Sequence, residues 1–158
     1  MAQKKKIRIK PKSILNRRAS FDYALDEDLV VGISLTGPET RAARDGHIQL
    51  KGSFVSIRDG ELWLNNASFS LKINEKNQVG ARSIDTSPRK LLAKRKQIDD
   101  LAARKQSGMS IVPIKLLTGG RYIKVVIALG KGKKNYDKRE TLKRRDQERD
   151  ANRAIKNV

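Results

Sequence analysis

The sequence predicts a mainly β fold with two or three helices: a small closed, OB-like barrel flanked by disordered basic extensions at both ends. Three observations lead there. The middle of the chain carries short apolar or alternating runs separated by turn residues, the pattern of strands. One run changes apolar phase at a glycine, as a strand does where a small barrel bends. Both ends are too charged to join a core. At 158 residues, one domain with long ends is expected: a basic arm over 1–18, the barrel over 19–130 and a tail over 131–158.

The arm holds eight basic side chains from Lys4 to Arg18 and no acid, so it repels itself until it meets a polyanion. The first strand signal is the apolar run Leu29 to Leu35. Pro38 to Arg44 reads as a short helix closed at Asp45-Gly46. Ile48 to Arg58 and Leu62 to Leu64 flank Asp59-Gly60, a strong signal for a two-residue type I′ hairpin. Ile48 and Leu50 are in phase with each other and out of phase with Val55 and Ile57, with Gly52 at the change.

Residues 67–86 are weakly patterned and read as a connection. Ser87-Pro88, a cap followed by proline, predicts the start of a longer helix that ends before Gly108, with Leu91, Ile98, Leu101 and Ala102 on one face. Ile111 to Leu117 and Tyr122 to Leu129 form a second hairpin around Thr118–Arg121. In its return arm Ile123, Val125, Ile127 and Leu129 face in, which turns Lys124 outward. A helix late in an order of five or six strands suits an OB-like barrel, whose strand face and loops often receive nucleic acid.

Charge selects the partner. Thirty-six Lys and Arg against 17 Asp and Glu leave a net charge of +19, far beyond what solubility needs, which favours a phosphate-rich partner. A membrane partner is not expected, because no long apolar run or bulky apolar helix face accompanies the cations. With no cysteine, disulfides and thiolate metal sites are excluded. The N-terminal Met-Ala-Gln-Lys-Lys-Lys lacks the apolar core of a signal peptide, so a cytoplasmic protein is expected.

Catalysis is not expected. His47 is the single histidine, too few for a conventional zinc site, and reads as a surface residue. No phosphate-cradling glycine motif is present. Asp26, Glu27 and Asp28 cluster and could hold Mg²⁺, although a solvated turn is the simpler reading. Neither a metal nor a cofactor is expected. Trp63 points opposite to Leu62 and Leu64, either as a stacking platform or packed under the 67–86 connection. Phe21 and Tyr23 read as anchors of a chain end.

The segment Lys131 to Glu140, KGKKNYDKRE, follows the last strand directly and sets Tyr136 among cations, offering a ring for stacking as well as charge. The tail has eleven basic and five acidic residues. Glu140–Arg144 and Arg144–Glu148 are favourable pairs four apart, opposed by Arg145–Arg149, Arg149–Arg153 and Asp146–Asp150. It should be mainly unfolded alone and helical when bound.

Asn16-Arg17-Arg18-Ala19 with Asp22-Tyr23, Gly32-Ile33 through Gly37 and Glu39, Arg44-x-Gly46, Arg89-Lys90-Leu91-Leu92, and Gly130-Lys131-Gly132-Lys133-Lys134 with Tyr136-Asp137-Lys138-Arg139 occur in an order that resembles one family over nearly the whole chain. That family is small protein B, the tmRNA-binding (SsrA-binding) protein of bacterial trans-translation. The resemblance implies an OB-like barrel that grips the tRNA-like domain of tmRNA and stands in for a missing anticodon arm. It implies delivery of alanyl-tmRNA to stalled ribosomes, with elongation factor Tu carrying the charged end.

It also implies a tail that enters the empty mRNA channel, folds as a helix and meets small-subunit RNA at the decoding centre. Carried over, Asn16, Lys90, Leu91 and Lys124 are tmRNA-binding positions, to which charge and position add Arg17 and Arg41. Tyr136 matches a position that stacks in the decoding centre. Lys131, Lys133, Lys134, Lys138, Arg139, Lys143, Arg144 and Arg149 would contact ribosomal RNA. The chain departs from the family pattern at Ser20-Phe21, at Val31, across Ala67–Leu71 and across Ile84–Pro88. A non-enzymatic, monomeric adaptor is expected; a basic OB-like structural protein of the ribosome is the alternative, and an Mg²⁺-dependent RNA-processing enzyme built on Asp26 a third reading.

Overall fold

Asp59 and Gly60 both have positive φ, 51° and 72°, as a type I′ turn requires. They join β4 (Phe54–Arg58) to β5 (Glu61–Asn65) in register, Val55 opposite Leu64 and Ile57 opposite Leu62. The other expected hairpin is also present: β9 (Met109–Leu117) and β10 (Lys124–Gly132) pair antiparallel around the Thr118–Arg121 turn. These four strands, with β2 (Tyr23–Ile33) and β8 (Arg89–Leu92), close a six-stranded barrel in the order β9-β10-β2-β8-β5-β4. The seam is the β4–β9 contact at Val55 and Ile111. The computed structural model describes residues 13–72 and 81–156.

Val31, Leu62, Leu64, Leu91, Ile111, Val125 and Ile127 fill the barrel. Lys124 points out, as the alternation of β10 predicts. Val126 and Ala128, on that same outward side, are buried as well. The helix α1 (Ala19–Asp22) lies against β2 and β9 and covers part of this outer wall. Among residues 1–18, positions 1–12 lie outside the described residues, and Ser13–Leu15 is already a strand, β1, antiparallel to β9.

Gly52, with φ of 74°, marks a sharp bend at which the chain changes sheets. Ile48–Gln49 (β3) pairs with β6 (Ser68–Lys72), which pairs with β7 (Arg82–Asp85) in a separate three-stranded sheet. The segment read from sequence as a connection therefore supplies two strands. Serines dilute its pattern, yet Phe69 is fully buried and Ser70 is half-buried. Residues 73–80 lie outside the described residues. The helix α2 (Gly37–Arg44) packs on β6; its capping box pairs Thr36 with Glu39, and Gly46 ends it at φ of 80°.

The helix expected from Ser87-Pro88 is a second correction. Arg89–Leu92 is strand β8, and the helix α3 spans Arg95–Arg104. Strand pairing overrides the cap signal: Leu91 lies opposite both Ile33 and Leu62, closing the barrel between β2 and β5. At the start of α3 the Lys94 N–H donates to Gln97 Oε1 at 2.9 Å, the half of a capping box that a lysine at this position allows. The tail residues Asn135–Lys156 form a helix, α4, with no buried residue. No helix among the described residues is long and apolar enough to cross a membrane.

Candidate nucleic-acid interface

The outer face of β10, β2 and β8 sets Lys124, Gly32 and Leu92 abreast on three adjacent strands. Gly32 matters by its lack of a side chain: a Cβ there would lie 3.2 Å from the Leu92 Cβ. Leu92 is thus close to the sheet yet 52% exposed. Lys90, two residues away on β8, faces the same side, beside Trp63 on β5. Its Nζ donates to Glu61 Oε1 at 2.5 Å, which holds the ammonium over the face.

Two grooves meet here and share Gly32, Leu92 and Lys124. One, of about 730 Å³, runs under Lys90, Lys94 and Arg95 with Val30 and Leu92 on its floor. The other, of about 400 Å³, runs between α2 and the start of β10, past Arg44, Arg121 and Tyr122. Arg44 Nη2 donates to the Arg121 carbonyl at 3.1 Å, joining α2 to the β9–β10 turn. Six cations thus line a continuous exterior path with one acid, Glu61, between them. Apolar and aromatic side chains among the cations suit RNA, whose phosphates need charge and whose exposed bases and sugars need flat contact.

Of the residues expected to bind RNA, Lys90 and Lys124 belong to this path. Leu91 also borders the first groove, but it is 2% exposed and packs in the barrel core, where it holds β8. Asn16 is 8% exposed and serves the fold. Its Nδ2 donates to the Pro113 carbonyl at 2.9 Å and its N–H to the Ile114 carbonyl at 2.7 Å. These acceptors sit at a bulge in β9, where the proline can donate nothing to a neighbour. Arg17 is exposed beside it. Arg41 stands apart on α2, sharing a small recess with Lys72 and Arg82.

Lys94, Arg95, Arg44 and Arg121 were missed. They lie on two helices, a helix cap and a turn, and no periodic signal brings such positions to one groove. Val31, a departure from the family pattern, faces the core and is 2% exposed. Among the acids, Asp26 and Glu27 occupy a bulge in β2 opposite Leu129, where Arg104 of α3 meets both. The Glu27 backbone N–H and then the Arg104 guanidinium hold the Asp26 carboxyl below its usual range. The carboxylate proposed for Mg²⁺ thus has a protein cation as its partner. His47 is exposed at the start of β3.

The tail presents Tyr136 60% exposed. Lys131, Lys134, Arg139, Lys143, Arg144 and Arg149 are exposed too, with Arg149 also 3.7 Å from Asp146. Lys133 and Lys138 turn back to the barrel side: Lys133 Nζ donates to the Ser20 carbonyl at 2.9 Å, and Lys138 Nζ lies 3.4 Å from Asp22 Oδ1.

Comparison with known proteins matches residues 13–157 to the family model described as SmpB protein. The SsrA-binding protein of Shouchella clausii is 46% identical over 142 residues, covering 89% of each chain. That of Streptococcus pyogenes serotype M49 is 44% identical over 142 residues, covering 89% of this chain and 90% of its own. A chain from a solved structure described as "tmRNA-SmpB: a journey to the center of the bacterial ribosome" superposes with a TM-score of 0.59 at 35% identity, covering 78% of this chain and 85% of that one. With its barrel, its basic outer path and a match running from β1 to the end of α4, the chain belongs to the SmpB family.

Proposed function

We propose that this chain is a tmRNA-binding adaptor of trans-translation, a non-enzymatic protein of the bacterial cytoplasm. The observation that carries this reading is the meeting of two cation-lined grooves at Lys124 on the barrel's outer wall. Family membership supports tmRNA and the ribosome as partners. The grooves would receive the tRNA-like domain of tmRNA, with phosphates on the lysines and arginines and sugar faces on Val30, Leu92 and Tyr122. In that complex elongation factor Tu would hold the charged end, and a single copy of the chain would stand in for the missing anticodon arm.

The tail would enter the mRNA channel of a ribosome that has run out of message. Tyr136 would stack in the decoding centre, while Arg139, Lys143, Arg144 and Arg149 follow ribosomal RNA. A helix this basic gains most of its affinity by neutralising phosphate, so an occupied channel would exclude it by volume and by charge.

Binding to the tRNA-like domain of the cognate tmRNA, measured against bulk tRNA and an unrelated hairpin across a salt series, tests the reading. Selective binding that survives physiological salt is the expected result. Equal, salt-labile binding to all three would overturn it and leave a generic basic barrel.

A further inference from the structure

We propose that the recess between α2 and the β6–β7 pair is a further phosphate site for RNA, built by Arg41, Lys72 and Arg82 apart from the two grooves. Its volume is about 50 Å³, on the scale of a phosphate group rather than a base.

The three cations reach it from three elements. Lys72 and Arg82 stand directly opposite each other on β6 and β7. Like charges at that spacing repel, so the strand pair carries them at a cost to its own stability. Arg41 joins them from α2, which packs on β6. Among the described residues, Asp45 is the one carboxylate on the recess wall, and it forms no ion pair with any of the three. Arg82 Nη1 donates a long bond, 3.4 Å, to the Ser70 carbonyl. Elsewhere on the chain, Arg89, Lys90 and Arg104 each hold a carboxylate. The recess is a hollow of three cations against one acid. A phosphate seated there turns their mutual repulsion into shared attraction, through charge-assisted bonds that suit the arginine fork.

The helix α2 divides the recess from the second groove. Thr40 and Arg44 line the groove, while Arg41 and Asp45 line the recess. Arg41 and Arg44 are neighbours on the helix surface, three residues apart. An RNA strand that follows the groove past Arg44 therefore meets Arg41 as it crosses α2. Ile84 shares the outer face of β7 with Arg82 and is 73% exposed, an apolar rest for a sugar beside the phosphate. The occupant is thus a phosphate of the same tRNA-like domain that the grooves receive, which rests on the function proposed above. The recess itself rests on residues of this chain alone.

Binding of the tRNA-like domain to full-length protein across a salt series tests the site. Lys72→Gln with Arg82→Gln should flatten the slope of log affinity against log salt by about one unit, not two, since both serve one phosphate. Adding Lys124→Glu should flatten it by about one unit more, because separate sites add. Lys51→Gln with Lys105→Gln removes two exposed charges elsewhere and should leave the slope as it was. The same change in both double variants, or none in either, would overturn the site.

Inorganic phosphate, followed by amide chemical shifts, checks the recess without RNA. Shifts at Ser70 and Ile84 that disappear in the Lys72→Gln, Arg82→Gln protein are expected; no shift in the unaltered protein would overturn the site. In low salt without phosphate, Lys72→Gln should raise the unfolding midpoint by relieving the cross-strand repulsion, and a lower midpoint would contradict that pairing. Phosphate binding in the recess, together with failure to select the tRNA-like domain, would sink the functional reading and leave the site standing.

Discussion

Arg89 of β8 and Glu39 of α2, fifty residues apart in sequence, form a buried ion pair in which Arg89 Nε donates to Glu39 Oε1 at 2.9 Å. Nη1 donates to the Ser87 carbonyl at 2.7 Å. Nη2 lies 2.9 Å from the same Glu39 oxygen and 3.2 Å from Asp85 Oδ2, as ion-pair contacts outside hydrogen-bond alignment. The guanidinium also rests 3.7 Å over the Phe69 ring. One side chain thus ties the barrel to α2 and to the small β3-β6-β7 sheet.

Removing that side chain leaves the buried Glu39 carboxyl without its guanidinium partner. Arg89→Ala should lower stability by about 3–5 kcal/mol, the usual scale for breaking a buried pair. Arg89→Lys should also be markedly destabilised, since an ammonium cannot reproduce the planar fork or its stacking on Phe69. Urea unfolding at neutral pH measures both. A loss under about 1 kcal/mol for Arg89→Ala, the range of an exposed pair, would contradict the central role given to this residue.

Lys124→Glu places a negative charge where the two grooves meet. Affinity for the tRNA-like domain should fall, and the slope of log affinity against log salt should flatten by about one unit, the contribution of one phosphate contact. Far-UV circular dichroism should not change, because Lys124 is exposed. A slope equal to that of the unaltered protein would place Lys124 outside the interface.

Tail removal should separate the two halves of the function, provided that the cut respects the fold. Gly132 pairs with Tyr23 and Lys133 bonds to α1, so a cut after Gly130 would damage the barrel edge. Truncation after Lys134 should leave affinity for the tRNA-like domain within about twofold, since the grooves contain no residue beyond Lys124. Tagging of truncated messages on stalled ribosomes should be lost. Parallel loss of both activities would argue against a two-part design.

Asp26 supplies a pH signature. Its carboxyl is held below the ordinary value of 3.8, first by the Glu27 N–H and then by Arg104. A lowered folded-state pKa contributes stability above the unfolded value, and that contribution disappears as pH falls through the folded value. Asp26→Asn should therefore be less stable than the unaltered protein at pH 7, and the difference should shrink below about pH 4. Unfolding midpoints at the two pH values decide it; a gap that widens in acid would show that the carboxylate is not the stabilised form.

Residue chemistry alone determined a good deal of this protein. The Asp59-Gly60 turn, the alternation along β10, the outward Lys124 and the bend at Gly52 were legible because each depends on neighbours in sequence: φ preference, strand period, a phase change. The charge excess, which selects a polyanion, is likewise a property of composition. The tertiary structure decided what depends on distant partners. Ser87-Pro88 looks like a helix start, yet Leu91 is held in a strand because Ile33 and Leu62 need a neighbour on the barrel wall. The serine-rich stretch around Phe69 becomes a strand because β3 and Arg89 give it something to pack against. Leu91 and Asn16 were singled out for RNA; both are buried, at 2% and 8% exposed, and both brace the scaffold. The groove needed Arg44, Lys94, Arg95 and Arg121, which come from the end of α2, the N-cap and first residue of α3, and a hairpin turn. No local period connects such residues. They converge only when strand pairing closes the barrel and brings those elements to one wall.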